Sequence, residues 1–140
     1  MKIKHLSINA NTSERSARIL AQLTDGKAEP FPSASMENAW LCLWEENELI
    51  EFIPRQYSLK YGEHAAVYVK QAENQNYHAC HFMLETNKSV TELMQIADKY
   101  GLTHRFRARF GGPLYEVWLE SSLLVEFTSQ EIDKLAVSLS

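Results

Sequence analysis

The stretch His5-Leu-Ser-Ile-Asn-Ala-Asn11 returns 76 positions later as His81-Phe-Met-Leu-Glu-Thr-Asn87. Leu49-Ile-Glu51-Phe52 returns 75 positions later as Leu124-Val-Glu126-Phe127. The one-residue difference fits two hairpins of unequal length, Glu45–Glu48 in the first copy and Ser121-Ser122 in the second. Self-similarity on this scale implies two copies of one supersecondary unit, each burying its sheet with the help of the other. A chain of 140 residues has room for two such halves. It can bury roughly two-thirds of its unfolded surface, so it needs no disulfide or structural metal to fold.

Local patterning supplies the elements of each copy. Leu6, Ile8 and Ala10 alternate with His5, Ser7 and Asn9, which is strand periodicity. Asn11-Thr12-Ser13-Glu14 reads as a capping box, Ala17, Leu20 and Leu23 keep helical spacing, and Asp25-Gly26 is the stop. A Pro-broken extended piece (Glu29 to Ser33) precedes strands over Trp40–Trp44 and Leu49–Ile53. The second copy repeats the order. A strand over Ala79–Thr86 leads to a helix capped by Ser89-Val90-Thr91-Glu92 and stopped at Gly101, then to a strand over Thr103–Phe110 and a hairpin over Leu114–Thr128. Between the copies, Ala65, Ala66, Val69 and Ala72 predict a short connecting helix over Glu63–Gln75, and Ser129 is expected to cap a last helix. The expected architecture is α+β, two βαβββ repeats forming a curved-sheet cavity. The first unit spans 1–54, a linker 55–77, the second unit 78–128 and a C-terminal helix 129–140.

Composition narrows the function classes. Apolar residues make up 45% and charged residues 23%, values of an ordinary globular chain. With a formal charge of −4, and His104–Arg109 as its one basic run, the chain lacks a nucleic-acid footprint. No apolar run approaches the roughly 18 residues of a membrane span. The N-terminus leads into strand-like sequence without a signal-type apolar region, and Cys42 and Cys80 lack CxxC spacing. A cytoplasmic protein with reduced thiols is expected. Ser/His/Asp nucleophile motifs, a P-loop and Gly-rich dinucleotide fingerprints are absent from the sequence.

The repeat matters for chemistry because it superposes His5 on His81 and Glu51 on Glu126. Strand alternation sets each apart from the aliphatic positions beside it, so all four are expected on the face opposite the helices. If the two sheets curl toward one another, these side chains converge on one cavity. Two imidazoles and two carboxylates suit Zn, Ni, Co or Mn, with room left for water or substrate oxygens. One such His or Glu alone is more often solvated; the two matched pairs make the set a candidate. Arg105, Arg107 and Arg109 share one strand face, either as a solvated edge or as an anion clamp, with Arg107 the candidate substrate contact. Trp40, Cys42 and Trp44 share a parity that, with Met83 and Trp118, could line a pocket or fill the core. His64, His78 and His104 have no repeat counterpart and are expected outside the ligand set.

The two βαβββ units, with His-x-x-Ile/Leu opening each (His5, His81) and Glu-Phe closing each (Glu51, Glu126), resemble the vicinal oxygen chelate superfamily. That superfamily includes glyoxalase I, methylmalonyl-CoA epimerase, bleomycin- and fosfomycin-resistance proteins and extradiol dioxygenases. The resemblance covers residues 2 to 128. The set His5, Glu51, His81 and Glu126 is similar to the metal set of bacterial-type glyoxalase I. Glu51-Phe-Ile-Pro54 followed by Tyr77-His78-Ala-Cys-His81 looks like the epimerase, although that enzyme has Gln where Glu51 stands. Phe110-Gly-Gly-Pro113 replaces the usual Asp-Pro-x-Gly turn. The resemblance implies a divalent metal acting as Lewis acid, a lyase or isomerase reaction by proton abstraction next to a carbonyl, and Glu126 or Glu51 as the base. It also implies a small-molecule substrate and a homodimer. The alternative is a metal-free protein that binds a small molecule, as bleomycin-resistance proteins do.

Overall fold

Alternating residues after the N-terminus form β1 (His5–Ala10), and α1 (Ser13–Thr24) follows at once. The computed structural model describes residues 5–32, 36–45, 48–60, 67–71, 81–108, 113–120 and 123–138. The first unit continues with β2 (Lys27–Pro30), β3 (Trp40–Leu43) and β4 (Leu49–Pro54). A hairpin of β5 (Tyr57–Lys60) and β6 (Val67–Lys70) comes next. The second unit comprises β7 (Phe82–Glu85), α2 (Val90–Lys99), β8 (Thr103–Arg107), β9 (Leu114–Glu120) and β10 (Leu123–Thr128), and α3 (Gln130–Ser138) ends the description.

The two four-stranded sheets have the same topology. Their orders are β1-β4-β3-β2 and β7-β10-β9-β8. In each, the closing strand runs parallel to the opening strand and antiparallel to its hairpin partner. Ser7 stands opposite Glu51 in the first sheet and Met83 opposite Glu126 in the second. Those partners lie two residues beyond His5 and His81, so the register agrees with the repeat. The chain divides into two compact units, Met1–Ala21 with Asp25–His78, and Ala79–Ser140 with Gln22–Thr24.

One face of each sheet is buried with the helices. In the first unit Ile8, Ala10, Cys42, Ile50 and Phe52 are buried there with Ala17 and Leu20 of α1. In the second, Tyr115, Val117, Leu119, Val125 and Phe127 are buried with Leu93 and Ala97 of α2 and Ile132 of α3. Burying these side chains is the main favourable term, at about 1.5–3 kcal/mol for each large aliphatic or aromatic group. The α2 cap is the full capping box expected, with Ser89 and Glu92 exchanging bonds to each other's backbone N–H. Ser129 Oγ accepts from Ile132 N at 3.2 Å, as expected of the α3 cap.

Two local expectations are corrected. Thr12 is the N-cap of α1 but its side chain makes no cap hydrogen bond, and Glu14 pairs with Arg18 at 2.9 Å instead. At the other end α1 stops at Asp25-Gly26 as expected, with Asp25 in the left-handed conformation, φ 55°, which a short polar side chain tolerates. The helix expected over Glu63–Gln75 is replaced, at Val67–Lys70, by a strand antiparallel to β5. Alternating β-branched Val67 and Val69 suit a ladder, and Tyr57–Lys60 supplies the partner, so tertiary pairing overrides a weak alanine-based helical spacing. Residues 61–66 and 72–80, which hold the rest of that stretch, lie outside the described residues.

Gly26 is needed for close approach. A Cβ there would sit 2.9 Å from Trp44 Nε1, 3.0 Å from Cys42 Sγ and 3.0 Å from the Leu43 carbonyl oxygen. Gly26→Ala is expected to lower stability by about 1–3 kcal/mol through overpacking, read as a lower urea midpoint. An unchanged midpoint would mean that β3 can recede from the α1–β2 turn without loss.

Candidate active-site faces

The open face of the first sheet carries His5, Ser7 and Asn9 on β1, with Leu49, Glu51 and Ile53 on β4. His5 is exposed and Glu51 half-buried. The Ser7 hydroxyl donates to Glu51 Oε2. Asn9 Nδ2 donates to the carbonyls of Ile53 (3.5 Å), Pro54 (3.3 Å) and Tyr57 (3.0 Å). The last two bonds tie the turn into β5 to β1. Tyr68 of β6 packs on a cluster of Met36, Ala39, Ile53 and Tyr57. Burial, and then the Glu51 charge, push its phenol above the usual range.

The open face of the second sheet is more highly charged. Its register sets Arg105, Glu116, Glu126 and Met83 in one row across β8, β9, β10 and β7. Glu116 is 1% exposed, and it accepts from Arg105 Nε at 2.6 Å and Arg107 Nη1 at 2.7 Å. Burial alone would raise its carboxyl, but the two guanidiniums hold it below the usual carboxylate range. Arg107 also lies in the field of Glu126. Glu116 is the residue that sequence reasoning missed. The signal was present: Tyr115, Val117 and Leu119 alternate against it, which places it on the arginine face.

The expected site residues fall as follows. His5 and Glu51 share the open face of the first sheet. Glu126, Met83, Arg107 and Trp118 share that of the second, with His81 exposed just before β7. Met83 is 42% exposed. Trp40 is placed otherwise. It pairs with Phe52, on the helix side, and Arg18 of α1 lies 4.7 Å over its ring. Cys42 pairs with Ile50 on that same side and is fully buried. Both lie on the helix side because β3 pairs in the register that puts Leu41, not its neighbours, opposite Glu51. His104 lies on the helix side of the second unit. Its Nδ1 is 2.6 Å from Tyr115 Oη and its Nε2 2.8 Å from Asp98 Oδ1. Burial and then the Asp98 charge push the Tyr115 phenol up. Arg109, His64 and His78 lie outside the described residues.

The first unit therefore carries His5 and Glu51 on its open face, and the second carries Glu126 there, with His81 exposed just ahead of β7. That donor chemistry fits half of a divalent-metal shell per unit. Among the described residues no three His, Cys, Asp or Glu side chains cluster as a metal-holding group.

No family model matches the sequence, and no curated protein matches it. Solved structures do. The fosfomycin resistance protein FosX from Mesorhizobium loti is 16% identical over 99% of this chain and 98% of its own, with a TM-score of 0.58. A glyoxalase family protein from Bacillus anthracis is 16% identical over 92% and 94%, with a TM-score of 0.60. A FosX variant from Listeria monocytogenes, solved with Mn(II) and 1S,2S-dihydroxypropylphosphonic acid, is 13% identical over 90% of each chain, with a TM-score of 0.57. The fold of this chain is that of the vicinal oxygen chelate superfamily, two βαβββ modules in one polypeptide. Among the described residues no helix is long and apolar enough to cross a membrane.

The Glu116 carboxylate makes a pH-dependent contribution whose sign is set by its lowered pKa. Its stabilisation is complete above the ordinary carboxylate range, about 4.3, and is lost as pH falls through the folded-state value. Glu116→Gln is expected to cost about 2 kcal/mol at pH 7, with the gap to wild type narrowing as pH falls below the ordinary carboxylate range. Urea unfolding across a descending pH series checks this; a gap that stays constant down to acid unfolding would assign the loss to packing.

Proposed function

We propose that this chain is a metal-dependent enzyme of the glyoxalase type, acting by proton abstraction next to a carbonyl. The observation that carries this reading is the register shared by the two sheets, with a carboxylate opposite the residue two beyond a histidine in each. In this reading His5, Glu51, His81 and Glu126 would hold one divalent ion, of which Zn, Ni, Co and Mn all suit the donors. The Mn(II) of the Listeria relative's structure supports a divalent metal on this fold. When bound, the ion supplies a Lewis acid that stabilises negative charge on a carbonyl oxygen.

The chain's own groups do the rest. Glu126 takes the proton from the substrate carbon, and Glu51 remains a ligand. Arg107 keeps N–H groups beyond the one given to Glu116 and binds an anionic part of the substrate. Met83 and Trp118, on the same face, offer apolar contact. A homodimer is part of the proposal. Those apolar side chains also favour the second reading, a metal-free small-molecule binder.

Metal analysis of the purified chain distinguishes the two readings: about one divalent ion per chain supports the enzyme, and none after metal-replete expression supports the binder. His81→Ala and Glu126→Ala are each expected to weaken metal binding by more than the roughly 10–100-fold that loss of an outer-shell partner costs. His78→Ala should leave it unchanged. A tighter dependence on His78 would move the ligand register of that segment.

Glu126→Gln is expected to abolish deuterium wash-in at the substrate carbon even at full metal occupancy, since an amide has no basic oxygen at neutral pH. Glu51→Gln should retain exchange. The candidate substrates are α-hydroxy-ketones, hemithioacetals and acyl-thioesters. Full exchange in metal-loaded Glu126→Gln would transfer the base to Glu51.

A further inference from the structure

The row Arg105, Glu116, Glu126 and Met83 carries more charge than the fold requires. The matching row of the first sheet reads Glu29, Leu41, Glu51 and Ser7, so an aliphatic side chain serves where Glu116 stands. One guanidinium suffices to neutralise a buried carboxylate. Glu116 takes two, with Arg105 Nε on Oε2 and Arg107 Nη1 on Oε1. The Glu116 side chain is 1% exposed, whereas those of Arg105 and Arg107 are 63% and 45% exposed. The anionic end of this group is therefore enclosed, and its cationic end is open to solvent.

Bonded to Glu116 through Nε, Arg105 keeps its terminal Nη1–Nη2 fork outside the pair. Arg107, bonded through Nη1, keeps its Nε–Nη2 side fork outside it. Such a fork matches two oxygens of a carboxylate or a phosphate. Two like charges fixed on one carboxylate also repel each other, and a second oxyanion bound to both relieves that repulsion. We propose that Arg105 and Arg107 form one clamp for an oxyanion group of the ligand, carboxylate or phosphate, and that Glu116 is its positioning residue. Glu126 stands directly opposite Glu116 on β10, so its charge opposes the incoming anion. Neutralising Glu126, as a bound divalent ion would, strengthens the clamp. The clamp rests on the proposed function for its ligand being a substrate, but it is testable on the metal-free chain.

The sign of an affinity change separates positioning from charge. Inorganic phosphate and acetate are titrated into the metal-free full-length chain at pH 6 and constant ionic strength, with the arginine Nε–H 15N resonances followed. Those of Arg105 and Arg107 are identified by their loss in Arg105→Lys and Arg107→Lys. Both should move in the wild type, and the anion that binds more tightly names the group. Glu116→Gln and Glu126→Gln each add one net positive charge. Glu126→Gln should tighten binding roughly threefold, the scale of one solvent-screened charge. Glu116→Gln should instead weaken it roughly tenfold, because both arginine side chains must then be ordered by the ligand itself. Arg105→Lys, which keeps the charge and loses the fork, should also weaken it. Lys99→Gln, at the end of α2, should bind as wild type does.

Near-ultraviolet circular dichroism under the same conditions checks that each variant is folded. If Glu116→Gln is not, Glu116→Asp takes its place: it keeps the net charge, withdraws the anchor by one methylene, and should weaken binding as well. Arginine resonances that neither anion moves would overturn the clamp and leave the metal reading untouched. Tighter binding in Glu116→Gln, matching that in Glu126→Gln, would reduce Glu116 to one more charge and overturn its positioning role. Anion binding as expected in a chain that takes up no divalent metal would keep the clamp and overturn the enzyme reading.

Discussion

Two parallel strand pairings, β1 with β4 and β7 with β10, are the constraint on which the rest of the structure depends. Along each strand, side chains alternate between a helix-covered face and an open one. A slip of one residue would drive Glu51 or Glu126 into an apolar core and expose Ile50 or Val125. Burying an unpaired carboxylate is far more costly than any single hydrogen bond gained elsewhere. The aliphatic positions therefore fix the register, and the register decides which polar residues share a face.

Within that common frame the two halves have diverged. The row through Glu51 reads Glu29, Leu41, Glu51, Ser7, whereas the row through Glu126 reads Arg105, Glu116, Glu126, Met83. Carboxylates directly opposite one another on adjacent strands repel. Glu116 and Glu126 are tolerated as neighbours because Arg105 and Arg107 neutralise Glu116. Glu51 has Leu41 and the Ser7 hydroxyl opposite it on the adjacent strands. Two equivalent positions thus carry one residue type in two electrostatic settings, which is how a duplicated scaffold can give its two carboxylates different work.

The β5–β6 hairpin shows where local reading reaches its limit. Ala65, Ala66, Val69 and Ala72 do sit at helical spacing, and nothing within that stretch identifies Tyr57–Lys60 as its partner. A strand is stabilised by the ladder it joins, so its identity rests on residues outside it. Trp40 and Cys42 show the same limit for faces. Parity told correctly that they point the same way, but only the pairing of β3 with β4 decided that this way is toward α1.

By itself the sequence determined what depends on near neighbours and on repetition. Alternation gave β1 and β10, Ser89-Val90-Thr91-Glu92 and Ser129 set the starts of two helices, and the repeated His and Glu positions implied two units with matching registers. Tertiary structure alone decided which polar groups meet: Glu116 between two arginines, His104 between Asp98 and Tyr115, and Ser7 at Glu51. The physical reason is one of range. Backbone conformation follows from sterics and capping within a few residues, whereas a hydrogen bond or ion pair needs two groups brought within about 3 Å by chain segments that carry no local record of each other.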